Sequence, residues 1–109
     1  MSDTPVLDLI ERMNIDSMSQ SGLDEGSLML VRLAALVASD APPISYVANL
    51  GVAVEAGVEM DDVQGVLVAV APIVGTARVM TAARNIAAAL GVAVAVVESE
   101  IEAALAEGA

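Results

Sequence analysis

The apolar side chains of this chain are almost all aliphatic, which limits its fold more than any other feature. Hydrophobic residues make up 57% of the 109 positions, and Tyr46 is the single aromatic residue among them. This share exceeds the roughly 45–50% that is usual for globular domains. A mass of Ala, Val, Leu, Ile and Met side chains suits closely packed helices, and the length suits one domain.

The interior of one copy is too small for this many apolar side chains. A domain of 11.0 kDa has roughly 5,600 Å² of surface and buries about two-thirds of the area of its unfolded chain. Some apolar residues must therefore be covered from outside. The sequence predicts a homo-oligomer, in which the partner of the chain is the chain itself.

Burial of these apolar residues in a lipid bilayer is less favoured than burial in a homo-oligomer. The longest uncharged run, residues 63–77, has 15 residues and falls short of the roughly 20 that span a membrane. The N-terminal Ser2, Asp3 and Thr4 lack the basic region of a signal peptide. We expect no membrane partner and a cytoplasmic location.

Charge and missing residue types exclude several functions. Fifteen acidic residues against four arginines give a net charge of −11, which repels a nucleic-acid backbone. The chain has no cysteine, no histidine and no lysine. Disulfides, thiol redox chemistry and thiolate metal sites are therefore absent. Asp61 and Asp62 are adjacent acids without the spacing of a calcium loop, so we expect neither a metal nor a cofactor.

Local signals divide the chain into helices. Thr4 and Pro5 open a first helix that reaches about Met13, and residues 14–22 read as a polar loop. Ser21 and Asp24 resemble a capping box for a second helix that ends near residue 39. The sequence suggests an N-terminal helix and loop at 1–22, followed by a helical domain at 23–109.

Proline and glycine set the next boundaries. The prolines at 42 and 43 suit the first turn of a third helix over about 43–56, which Gly57 ends. Asp61 and Asp62 suit the first turn of a fourth helix. Its body, 63–71, is apolar on every side, which predicts burial all round, and Pro72 and Gly75 interrupt the chain.

The C-terminal third predicts two more helices. Thr76 caps a fifth helix that reaches Leu90 and is closed by Gly91. Residues 92–107 keep helical spacing, although 92–96 also alternate like a strand. Helix is favoured, because no partner strand is visible. The prediction is an all-α fold of about six helices.

Two segments resemble the carboxymuconolactone decarboxylase family, which includes the alkylhydroperoxidase D-like proteins. They are AVEAGVEMDDVQGVL at 53–67 and GTARVMTAA at 75–83, and the likeness extends over about 28–90. The resemblance implies a helical protomer that forms trimers or hexamers, with active sites at or near subunit contacts.

The resemblance also places the family's functional positions on this chain. The peroxidase-like branch has a C-x-x-C pair and a histidine that fall on Pro42, Ser45 and Asn49, and a glutamate that falls on Leu30. In the decarboxylase branch the histidine again falls on Asn49, and a glutamate falls on Gly65. Each of these residues is replaced, which excludes thiol peroxidase activity.

Some polar residues can still act near these positions. Ser45, Tyr46 and Asn49 lie within about one helical turn, where they can orient a small carbonyl or carboxylate ligand. Alternatively, Tyr46 packs its ring and Asn49 satisfies a backbone group. Glu55 is the lone acid in an apolar stretch and is a candidate proton carrier.

Arginine offers a second candidate site. Arg32, Arg78 and Arg84 lie in apolar segments, and a guanidinium can hold a carboxylate by two hydrogen bonds. Arg78 and Thr81 at i, i+3 form the best candidate anion grip. The alternative for these arginines is a structural contact within the chain or between subunits.

Two functions follow. The favoured one is a non-redox binding or structural module, in which the family's catalytic residues are lost. The alternative is a decarboxylase or isomerase that acts on a small carboxylated lactone, or a similar metabolite, by an altered mechanism using Tyr46, Asn49 or Glu55.

Overall fold

The computed structural model describes residues 2–108, with side chains given for all of them except 92–98, 100, 101 and 108. All regular structure in this part of the chain is α-helical, which confirms the all-α prediction. It consists of α1 (Pro5–Gln20), α2 (Glu25–Ala38), α3 (Pro43–Glu55), α4 (Met60–Val74) and α5 (Thr76–Gly108).

The first helix is longer than its apolar pattern indicates. α1 continues through Gln20, so the predicted loop over 14–22 is wrong. Its polar segment contains no glycine or proline before Gly22, and polar residues alone do not end a helix. The capping role of Ser21 is also wrong. The N-cap of α2 is Asp24, whose carboxylate accepts a hydrogen bond from the Ser27 backbone N–H at 3.1 Å.

The ends of α2 and α3 follow the same hydrogen-bond pattern. After α2, Asp40 takes a left-handed conformation with φ of 54°, and the N–H of Ala41 donates to the carbonyl of Leu36 at 3.1 Å. After α3, Gly57 has a φ of 86°. This pattern satisfies carbonyls that have no partner inside the helix, and the predicted breaks at Asp40 and Gly57 are confirmed.

α4 begins as predicted and ends later. The Asp62 carboxylate accepts a hydrogen bond from the Glu59 backbone N–H at 2.9 Å. The helix then passes through Pro72 and reaches Val74, so the interruption predicted at Pro72 is wrong. The chain turns at Gly75, with a φ of 89°.

Burial of α4 on every side is also wrong for the single chain. Val63 is its buried residue, whereas Val68 and Ile73 are 75% and 85% exposed. An apolar sequence indicates that a helix favours apolar contacts on every side. The neighbouring helices of a single chain cover only one side of α4.

The last helix is continuous. Thr76 is its first residue, and the Gly75 carbonyl accepts a hydrogen bond from the Val79 N–H at 3.2 Å. The N-cap residue of α5 is therefore Gly75, and not Thr76 as predicted. α5 passes through Gly91 without a break. The predicted end at Gly91 and the alternative strand at 92–96 are therefore wrong. The apolar face predicted over 92–101 lies outside the described side chains.

The core is formed by α2 to α5. Tyr46 fills its centre and is only 1% exposed, and α1 contributes no buried residue. Within the described residues, no helix is long and apolar enough to cross a membrane. The main buried cluster consists of Leu33, Val37, Tyr46, Leu50, Val63, Ala82, Ile86 and Ala89.

Candidate functional site

A groove of about 400 Å³ lies between α1 and the pair formed by α2 and α3. Ser45 and Asn49 of α3 both line it, one helical turn apart, and both are half-buried. Their i, i+4 spacing brings the two side chains to the same cavity. The lining residues are Leu7, Ile10, Glu11, Asn14, Met18, Met29, Arg32, Leu36, Ser45, Ala48, Asn49 and Val52.

Asn49 combines a structural bond with remaining hydrogen-bonding capacity. Its Nδ2 donates to the backbone carbonyl of Ser45 at 2.8 Å. The alternative interpretation of Asn49 predicted this kind of bond to a backbone group. An asparagine amide has two N–H donors and a carbonyl acceptor with two lone pairs. One bond to the backbone therefore fixes the orientation of the side chain and leaves groups that can bind a ligand in the groove.

Arg32 supplies the positive charge at the groove. Its guanidinium donates to the Asn14 side-chain oxygen, to the Asn14 carbonyl at 3.4 Å and to the Ser17 hydroxyl at 3.1 Å. All three acceptors lie on α1, while Arg32 lies on α2. Because the guanidinium has five N–H donors, it can hold α1 and still offer an N–H to a bound group.

The remaining lining is largely aliphatic and comes from all three helices. Glu11 is the carboxylate among the described lining residues, and its side chain is exposed. The walls can therefore accommodate an apolar molecule, with Arg32, Ser45 and Asn49 available to its polar end.

Tyr46 and Glu55 are not among the residues that line the groove. Tyr46 lies in the core, where burial raises the pKa of its phenol and the negative charge of Asp40 adds to the effect. Glu55 is exposed in the last turn of α3. The structure therefore separates these two residues from Asn49, with which the sequence grouped them.

Arg78 and Thr81 are not among the residues that line the groove between α1 and α3. The Arg78 guanidinium donates to the carbonyl of Ala38, the last residue of α2, where a positive charge also complements the helix dipole. Asn85 donates to the carbonyl of Ala41 at 3.3 Å. Thr81 is exposed. In this structure Arg78 joins α5 to the end of α2.

The residues that sequence reasoning missed are on α1. Asn14 and Met18 line the groove, but both fall in the segment that was predicted to be a loop. A signal was available: Leu7, Glu11, Asn14 and Met18 follow helical spacing of i, i+4, i+7, i+11. The contacts of Arg32 span 15 and 18 residues along the chain, a separation that no local pattern predicts.

A second cavity lies away from the groove between α1 and α3. It is apolar, has a volume of about 180 Å³ and lies between α4 and α5, bordered by Val63, Leu67 and Ile86 among others. Among the residues that the structure describes, no group of three or more acidic side chains is placed to hold a metal ion.

These observations define a class of small all-helical proteins with a side groove that offers amide, hydroxyl and guanidinium groups. The model of the carboxymuconolactone decarboxylase family matches residues 5–89. The chain belongs to this family, and the match extends to α1, beyond the residues on which the resemblance was recognised. No curated protein and no solved structure matches the chain. The sequence has no cysteine and no histidine, so the residue types that the resemblance places at 42, 45 and 49 are absent from this chain.

Proposed function

We propose that this protein is a non-redox binding module that holds a small, largely apolar molecule in the groove between α1 and α3. The observation that carries the proposal is the position of Ser45 and Asn49. These residues replace the family's catalytic side chains, and they line a cavity of about 400 Å³ instead of being packed against neighbouring atoms. Small-molecule sites commonly have volumes of roughly 300–1,000 Å³.

Binding is better supported than catalysis. A decarboxylase or isomerase needs a group that exchanges a proton with the reacting atoms. Of the three catalytic candidates, Tyr46 is buried in the core and Glu55 is exposed outside the lining. Asn49 remains, but an amide orients a ligand and does not carry a proton to it. Glu11, the carboxylate among the described lining residues, is exposed to water.

The lining also indicates the class of ligand. Aliphatic walls favour a compact ring or chain, and the Arg32 guanidinium favours a carboxylate at its edge. Asn49 and Ser45 can hydrogen-bond a carbonyl or hydroxyl group. The proposed ligand is therefore a small cyclic carboxylate, a chemistry that the family's decarboxylase branch also handles.

The proposal includes self-association. The exposed apolar side chains of α4, with Val68 and Ile73 foremost, exceed what a monomer commonly leaves in water. A trimer or hexamer that covers α4 agrees with the family. A cytoplasmic location remains a prediction from the sequence.

A nuclear magnetic resonance titration with benzoate and benzamide tests the binding function. The chain has three asparagines and two glutamines, so each side-chain amide signal can be assigned. Benzoate should shift the Asn49 amide with a dissociation constant on the order of 1 mM, which corresponds to about −4 kcal/mol. Benzamide, which has the same shape without the charge, should bind more weakly.

Two variants control the titration. Ala48→Trp places a bulky side chain in the groove and should abolish the Asn49 shift, whereas Ala103→Trp on the exposed end of α5 should leave it unchanged. The Gln64 amide, beside the other cavity, should not move. Equal shifts in both tryptophan variants, or no Asn49 shift up to saturation with benzoate, would contradict the proposal.

A further inference from the structure

α1 differs from the other helices in how little of it is covered. None of its residues is buried, and even Leu7 and Ile10, which face the groove, are 64% and 55% exposed. The buried cluster lies in α2 to α5. Hydrophobic contact therefore contributes little to the position of α1, since that contribution grows with the apolar area removed from water.

Hydrogen bonds from one side chain hold α1 in place. The Arg32 guanidinium on α2 reaches three acceptors in the second half of α1, two on Asn14 and one on Ser17. Hydrogen bonds from a charged donor are stronger than neutral ones. Arg32 therefore acts as a latch, in the sense that its loss removes most of the polar attachment described for α1.

The connection between α1 and α2 has the features of a hinge. Only Ser21, Gly22, Leu23 and Asp24 separate the two helices, and all four are exposed. Gly22 has a φ of 71° and has no Cβ, so it can leave this conformation for others at little energetic cost. Rotation at Gly22 moves α1 as a unit while α2 stays in the core.

We propose that α1 is a lid that opens and closes over the groove, held shut by the contacts of Arg32 with Asn14 and Ser17. The significance of this lid for ligand entry rests on the proposed binding function. Opening uncovers Ser45 and Asn49 from the side that α1 occupies. An isolated helix of this length is only marginally stable in water, so the released α1 should also unfold.

Trypsin provides a direct readout of lid opening. The chain has no lysine, so its cleavage sites are the four arginines, and Arg12 lies in the middle of α1. Cleavage after Arg12 requires α1 to be released and unfolded. At low trypsin concentration, where opening and closing are faster than cleavage, mass spectrometry of the products over time therefore reports the fraction of the ligand-free protein in which α1 is open.

Arg32→Gln should increase the rate of cleavage after Arg12 by roughly tenfold, because it removes charged hydrogen bonds worth about that factor in the closed population. Asn14→Ala combined with Ser17→Ala removes the two side-chain acceptors and leaves the Asn14 carbonyl, so it should increase the rate in the same direction but by less. Arg84→Gln, which changes an exposed arginine of α5, should leave the rate unchanged. An unchanged rate in both latch variants overturns the proposal.

Hydrogen exchange separates a lid from a general loss of stability. In Arg32→Gln, faster exchange should be confined to residues 5–20. Equal acceleration in α2 to α5 would mean that Arg32 supports the whole fold, and the lid would be rejected. Because these measurements need no ligand, the lid can fail while benzoate still binds, and the groove can fail to bind while the lid still opens.

Discussion

At the scale of single residues, Ser45 and Asn49 of α3 offer hydrogen-bonding groups without acid–base chemistry near neutral pH. A cysteine at a helix N-terminus ionises readily, and a histidine changes its charge near neutral pH. The hydroxyl of Ser45 and the amide of Asn49 do neither, although both donate and accept hydrogen bonds. The proposal of a non-redox binding module therefore depends on the ability of these two side chains to orient a ligand in the groove between α1 and α3 by hydrogen bonds.

Tyr46 gives a prediction about pH. Burial, followed by the charge of Asp40, raises the pKa of its phenol above the ordinary value of 10.0. It is the single tyrosine, and the chain has no lysine or cysteine that titrates nearby. The near-ultraviolet absorbance of phenolate should therefore show one transition with its midpoint above 10.0. A midpoint at or below that value would contradict the buried position of the ring.

The same shift determines how stability responds to alkali. Because the folded state favours the neutral phenol, the stability contributed by Tyr46 is complete below the unfolded pKa, near 10, and is lost as pH rises through the folded value. Chemical unfolding of the wild type should show this loss above about pH 10, and Tyr46→Phe should not. Asp40→Asn removes the nearby charge and should lower the absorbance midpoint.

At the scale of the helices, the N-cap of α2 gives a second prediction. Hydrogen bonds from Ser27 lower the pKa of Asp24 below its ordinary value of 3.8. Asp24→Ala should reduce the free energy of unfolding, whereas Asp24→Asn, which keeps the acceptor, should lose much less. The margin of the wild type over Asp24→Ala should be largest above pH 3.8 and should shrink as pH falls through the folded pKa, because the protonated carboxyl keeps an acceptor oxygen but loses its charge. A margin that does not change with acid would contradict the lowered pKa of Asp24.

The continuity of α5 gives a third prediction. Gly91 lies inside a helix, is exposed, and has open space where a Cβ would be added. Gly91→Ala should therefore raise the free energy of unfolding by about 0.5–1 kcal/mol. Gly57→Ala is the matched control: its φ of 86° disfavours any Cβ, so stability should fall. Destabilisation by Gly91→Ala would indicate that the helix ends at residue 91.

These helices show what local sequence patterns can and cannot predict. The breaks at Asp40 and Gly57 were predictable because a following proline pair and a C-terminal glycine act within one turn. The end of α1 was missed although helical spacing continues through Asn14 and Met18, because polar residues alone do not end a helix. Only the contacts of Arg32 with this segment, which join distant parts of the chain, were beyond local patterns. The break at Gly91 was overestimated, since one glycine costs a long helix only about 1 kcal/mol.

The candidate site was predictable on its α3 side and not on its α1 side. The spacing of Ser45 and Asn49 placed them on one face of α3, and the family positions drew attention to them. The opposite wall, with Asn14 and Met18, depends on how α1 lies against the rest of the molecule. Local periodicity does not encode that packing, nor does it show that Tyr46 turns into the core.

At the scale of the whole molecule, one copy exposes more surface than its mass warrants. Its accessible surface is 7399 Å², against the roughly 5,600 Å² expected for a compact chain of this mass. Its radius of gyration is 15.9 Å, against roughly 13 Å for a compact domain of this length. This excess and the exposed apolar residues of α4 both support the proposal that the protein self-associates.

The fourth prediction tests that inference through the exposed side of α4. Size-exclusion chromatography with light scattering should give the wild type a mass of three or six copies of 11.0 kDa. Val68→Glu and Ile73→Glu, tested separately, should each shift it toward one copy, because a carboxylate is costly to bury without a partner and adjoining copies already carry a charge of −11. Leu105→Glu adds the same charge to an exposed apolar position of α5 and should leave the mass unchanged. A wild type that remains a single copy at high concentration would refute the oligomer, and an unchanged mass in both α4 variants would place the subunit contact elsewhere.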